Sequence, residues 1–161
     1  MKALSLAIFF LALALELAVA APSATAKNLK GTVMWKPQDS ADFRPLHEGE
    51  RISEGANIRT GKDSSVNFVL FPGMIIHLGD NTDFTFSEIK ERSRDVAVDI
   101  SVVTLHSGTM SSSIKQRLPQ PAVLTIVTPQ GELMANETFF GVSVQGTTAY
   151  LAVKEGLVAL K

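Results

Sequence analysis

The chain has 161 residues, 45% of them hydrophobic and 19% charged, with a formal net charge of −1 and no cysteine. That length allows one modest domain, and the near-neutral balance supplies no basic excess to neutralise phosphates, which argues against nucleic acid as a partner. The absence of cysteine removes disulfides, thiolate metal sites, a cysteine nucleophile and lipidation at cysteine.

Residues 1–20 read as a secretory signal peptide. Lys2 gives the positive start, Ala3 to Leu15 an apolar stretch, and Ala18-Val19-Ala20 the small residues of a cleavage site. The apolar stretch is too short for roughly 30 Å of hydrocarbon, which takes about 20 residues. Glu16 between stretch and cleavage site is off-pattern, and Ala24-Thr25-Ala26 offers a second place to cut. Residues 21–28 are expected to be a flexible mature N-terminus, with one domain over 29–161 and no stable membrane insertion once the leader is removed.

Beyond residue 28 the hydrophobic period is two, the period of strands. Val66, Phe68 and Leu70 form one stripe, and Phe84 and Phe86 a second. Val96, Val98, Ile100 and Val102 form a third, and Phe140, Val142 and Val144 a fourth. These stripes direct Phe68, Phe86, Ile100, Phe140 and Val142 inward. Turn-type clusters separate them: Pro72-Gly73, Gly79-Asp80-Asn81, Ser107-Gly108, Pro129-Gln130-Gly131 and Glu155-Gly156. Glu88 to Asp95 carries mixed charges and reads as a solvated hairpin tip, and Pro119-Gln120-Pro121 as a rigid connection. Without long crossover segments the sheets should be mostly antiparallel or wound as a coil.

The order of short motifs resembles the FecR-type periplasmic domain. Gly49-Glu50-Arg51-Ile52 and Gly55-Ala56-Asn57-Ile58-Arg59-Thr60-Gly61 resemble its opening. Val66 to Leu70, the Phe71-Pro72-Gly73 turn and Met74 to Leu78 resemble its paired strands, with Asn81 to Phe84 following. Leu105 to Met110 around Gly108, Thr128-Pro129-Gln130-Gly131, and Val153 to Val158 around Gly156 resemble its later elements. The family pattern places a glycine before Thr138-Phe139-Phe140-Gly141-Val142, where this chain has Glu137. If that glycine takes a positive φ, the local turn must differ here, because a Cβ disfavours the conformation. The resemblance implies an all-β domain, a two-sheet sandwich or solenoid-like form. It assigns structural roles to Gly55, Thr60, Gly73, Gly108, Thr128, Pro129, Gly131, Thr138, Phe140, Val142 and Gly156. The namesake regulators carry a cytoplasmic segment and a membrane helix before this domain, so their transmembrane signalling route does not carry over to a chain with a cleavable leader.

No residue set points to catalysis, a cofactor or a metal. His47, His77 and His106 stand at intervals of about thirty residues, without a local ligand pair. Ser112-Ser113-Ile114-Lys115 has Ser-x-x-Lys spacing but lies in a strand-like run, and its companion motifs are absent. Gly79 to Asp83 reads as a β-turn rather than a calcium loop. Asn136-Glu137-Thr138 fits a glycosylation acceptor, relevant only in a host that glycosylates exported chains. The expectation is therefore an exported, non-enzymatic module that binds another envelope protein. Ser111, Ser112 and Ser113 are its expected strand edge, their polar side chains tolerating exposure. The alternative is a module for cell-envelope carbohydrate, with Trp35 and Tyr150 as its aromatics.

Overall fold

The computed structural model describes residues 21–70, 73–91, 99–115 and 122–161. The expected signal peptide, the Phe71-Pro72 part of its turn, Arg92 to Val98 and Pro119-Gln120-Pro121 lie outside the described residues. Among the described residues there is no helix, and twelve strands form one sheet that curls around a single core. They are β1 (Ser23–Lys30), β2 (Val33–Lys36), β3 (Arg44–Pro45), β4 (Arg51–Ser53), β5 (Asn57–Thr60) and β6 (Ser65–Val69). After these come β7 (Met74–Leu78), β8 (Asp83–Lys90), β9 (Asp99–Ile114), β10 (Ala122–Thr128), β11 (Gly131–Gln145) and β12 (Thr148–Leu160). The main path runs β3-β2-β5-β8-β9-β7-β6-β1-β4. Every pairing is antiparallel except β9 with β10, which are parallel.

Three long strands account for the curl. β9 pairs with β8 up to Ser107 and with β7 from Met110 on, and Gly108 between them has φ 92°. β11 pairs with β10 up to Asn136 and with β9 from Phe139 on, with Glu137 at φ 48° between. β12 follows β11 on both sides of this bend, with Gly156 at φ 88°. A strand that changes neighbour must bend, and a left-handed residue at a bulge supplies the bend. Glu137 thus adopts the left-handed conformation although it carries a Cβ, so the side chain does not exclude that conformation here. Its strain is held by its surroundings: Thr138 is buried, and its hydroxyl donates to the Glu155 carbonyl. Gly156 has no such latitude, since a Cβ there would stand 2.6 Å from the Glu137 carbonyl oxygen.

The core follows the stripes in β6, β8 and β11. Phe68, Phe84, Phe86 and Phe140 are fully buried or nearly so. Phe86 meets Phe68 and Phe84 edge to face at centroid distances of 5.0 and 4.9 Å, the arrangement favoured by the ring quadrupoles. β9 departs from expectation. Ile100 is only half-buried, and the inward set is Ser101, Val103 and Leu105. The apolar doublet Val102-Val103 leaves the alternation ambiguous by one residue, and such a slip turns the whole stripe over. Pairing decides the face, because Val103 and Leu105 lie opposite Phe86 and Phe84. Ser101 is tolerated inside because its hydroxyl donates to the Glu88 carbonyl at 3.3 Å.

Two further expectations are corrected. The segment 21–28 is not a flexible lead-in, since Ser23 onward is strand and Ala24 and Ala26 are fully buried. These small side chains lie opposite Ile52 and Phe68, where close packing needs little volume. The charged run from Glu88 begins as strand rather than loop, because β8 continues to Lys90 with Ile89 buried. The Ile89 N–H donates to Glu54 Oε2 at 3.1 Å, and Lys90 pairs with Glu88.

Candidate functional site

The motif positions hold turns and bends. The Thr60 hydroxyl donates to the Gly79 carbonyl at 2.6 Å and accepts the Thr82 N–H at 2.9 Å, tying β5 to the β7–β8 turn. The Thr128 hydroxyl donates to the Gly131 carbonyl at 2.9 Å and closes the β10–β11 turn. Gly108 lies so close to Thr82 that a Cβ would stand 2.5 Å from its Cα. Gly55 and Gly73 both have positive φ in turns, and Phe140 and Val142 are core. These contacts give the motif order a structural reason.

The histidines are dispersed. His77 Nδ1 lies 2.6 Å from Asn67 Oδ1, and His106 Nε2 lies 3.0 Å from Thr85 Oγ1. His47 stands in the loop before β4, its N–H donating to Glu50 Oε2. The structure does not bring the three together. Ser112 is spent on structure, buried with its hydroxyl donating to the Ile75 carbonyl at 3.2 Å. Trp35 is also buried, with the Arg44 guanidinium 4.2 Å above its ring, so it presents no flat face to a sugar.

The expected edge at Ser111, Ser112 and Ser113 is not an edge. β9 is the hub of the sheet, and there Ser111 pairs with both His77 and Gly141, while Ser113 pairs with both Ile75 and Phe139. The backbone groups that a partner strand needs are therefore taken on both sides. A serine run survives at the centre because Ser111 and Ser113 point to the outer face and Ser112 bonds a carbonyl.

Among the described residues the sheet ends at three strands. β3 is two residues long and includes Pro45, and β4 is three residues long and begins with the charged Arg51. Short length, proline and charge are ordinary protections against edge pairing. β12 has none of these over much of its thirteen residues, and it pairs with β11 alone. Its exposed side chains are largely apolar: Leu157 is 86% exposed, Leu160 75% and Tyr150 59%. Its charges, Lys154 and Glu155, sit together at the bulge opposite Phe139, with the Lys154 ammonium 5.3 Å from that ring's centroid.

Beside this edge the core is open. A mainly apolar cavity of about 330 Å³ is lined by Leu133, Val142, Ala149, Leu151 and Leu160, together with Tyr150, Lys161 and the polar Thr128, Gln130 and Glu132. Leu133 and Val142 are buried residues of β11, opposite Leu160 and Leu151 of β12. The site is thus an apolar strand edge continuous with an apolar hollow, suited to take backbone and side chains from another chain. In the sequence Tyr150 reads as a candidate carbohydrate-binding aromatic, and 148–153 is not set apart as an edge. The overlooked signal is Thr148-Ala149-Tyr150-Leu151-Ala152-Val153, uncharged and without polar alternation.

Two charged groups line the cavity, the Lys161 ammonium and the Glu132 carboxylate, 3.9 Å apart. Glu48, on the loop beside β1, has its carboxyl held below the usual value by accepting the N–H groups of Leu29 and Asn28. Lys90 is raised by its bond to Glu88. No helix of the described residues is long and apolar enough to cross a membrane.

A family model described as FecR protein matches residues 56–159. Searches of curated proteins and of solved structures find no match to the chain.

Proposed function

This chain belongs to the FecR protein family, and from that premise we propose that its mature domain is a non-enzymatic periplasmic interaction module that recognises another envelope protein through the open edge of β12. The carrying observation is that edge: a long, apolar, singly paired strand beside a hollow in the core. Unpaired N–H and C=O groups along it can accept a partner strand, and the hollow can take that strand's alternate side chains. The family's periplasmic signalling character supports the reading.

Export precedes this function. The burial of Ala24 and Ala26 supports leader removal after Ala20, since cutting after Ala26 would take both out of the core. N-terminal sequencing of the mature chain tests this, and a start at Lys27 overturns it.

The functional test is capture from envelope extract by the immobilised mature domain. The wild type should retain a specific envelope protein, and Tyr150→Lys should lose it while remaining folded. Equal retention by both forms would remove the partner from β12. Hydrolysis of a peptide, ester or glycan by the purified domain would overturn the non-enzymatic reading.

A further inference from the structure

We infer that in the absence of a partner the β12 edge is closed by a second copy of this chain, the two Thr148–Val153 arms pairing antiparallel about a two-fold axis. The inference rests on the proposed strand-accepting edge, and names what occupies that edge when nothing else does.

The argument begins with the residues of β12. Leu151 lies opposite the buried Val142, and Tyr150 lies opposite Ser143 on the other face. Apolar bulk therefore stands on both faces of the arm. That is the composition of a strand with a neighbour on each side, since an ordinary edge carries lysine, proline or polar alternation. The bulge at Phe139 and Glu155 separates this arm from Leu157–Leu160 and keeps Lys154 and Glu155 out of it. The arm is left without charge, so laying it against itself brings no like charges into opposition. A two-fold axis normal to the sheet preserves its faces, so the hollow beside one arm continues into the hollow beside the other. One operation satisfies both the backbone edge and the open core, as a self-complementary interface requires.

Area decides how tight the pair should be. Tyr150, Leu151, Val153 and Leu160 are 59%, 36%, 43% and 75% exposed. At ordinary residue sizes these four expose roughly 450 Å² per copy, backbone included, of which the arm itself supplies about 300 Å² and Leu160 beyond the bulge the rest, against about 800 Å² per partner in a standard interface. This places the dimer at the small, dissociable end. A partner strand that uses the same edge would then compete with it.

Light scattering across a concentration series tests the mass of the mature domain. The wild type should move from one chain to two as concentration rises, and Tyr150→Lys should remain a monomer with unchanged thermal unfolding. Because the chain has no cysteine, Tyr150→Cys can form a disulfide only with its own copy, and oxidation should trap a covalent dimer. Ser40→Cys, on a loop far along the chain, should not be trapped at a comparable rate. A wild type that stays monomeric overturns the inference, as does a dimer that persists in Tyr150→Lys. Partner capture is read in a separate experiment. A monomeric wild type that still captures its partner through Tyr150 refutes the dimer alone, and a dimer without capture refutes the partner reading alone.

Discussion

The serine run of β9 and the apolar arm of β12 have exchanged the places their compositions suggest. Ser111, Ser112 and Ser113 are polar and sit at the centre of the sheet, paired on both sides. Thr148 to Val153 is apolar and pairs on one side only among the described residues. The difference shows that polarity reports on the faces of a strand, while edge or centre depends on its neighbours. A serine can sit inside if its hydroxyl finds a carbonyl, and a leucine can stand outside if another chain is to cover it.

The largest expected effect belongs to the centre. Phe86→Ala removes the ring that contacts both Phe68 and Phe84 and should cost about 3–5 kcal/mol. Most domains have only about 5–15 kcal/mol to lose. Chemical denaturation would show it as a fall in midpoint, and an unchanged midpoint would mean the packing is wrong. Ser112→Pro should come next, at about 2–4 kcal/mol, because it loses the hydroxyl bond to Ile75 and forces proline into a doubly paired strand. A fully stable Ser112→Pro variant would return that strand to the edge and break the comparison directly.

Gly156→Ala sharpens the account of the bend that β11 and β12 share. Its Cβ would press on the Glu137 carbonyl and its φ is left-handed, so a loss of about 1–3 kcal/mol is expected. Glu137→Gly at the facing position should instead be neutral or stabilising by up to about 1 kcal/mol, since glycine relieves the left-handed strain. Thermal unfolding of the two variants should move in opposite directions, or in the second case not at all. At the edge, Tyr150→Lys should change stability by less than about 0.5 kcal/mol, as surface substitutions do, while abolishing self-association.

The smallest effect concerns the protected side of the sheet. Glu48 accepts the N–H groups of Leu29 and Asn28 as a carboxylate, which lowers its folded pKa. A depressed pKa contributes stability above the unfolded value, near 4.5, and that contribution is lost as pH falls through the folded value. The wild type should therefore lose slightly more stability than Glu48→Gln on acidification below about pH 5. Parallel acid profiles for the two forms would show that the carboxylate's bonds to β1 contribute nothing.

Much of the fold was legible in residue order. Period-two alternation identified strands, and the phenylalanines of β6, β8 and β11 were placed inside because each stripe had a polar counterpart. The motif order carried the family. Other features lie beyond local pattern. The Val102-Val103 doublet admits two registers, and only the Phe84 and Phe86 rings opposite select one. Ala24 and Ala26 are too small to announce a buried strand until Ile52 and Phe68 lie across from them. The open edge of β12 was the least legible feature. Strand character follows from side chains that are neighbours in sequence, and can be read there. Edge character follows from which backbone groups remain unpaired, and those pairings join residues far apart in the chain, as Ser111 is joined to both His77 and Gly141.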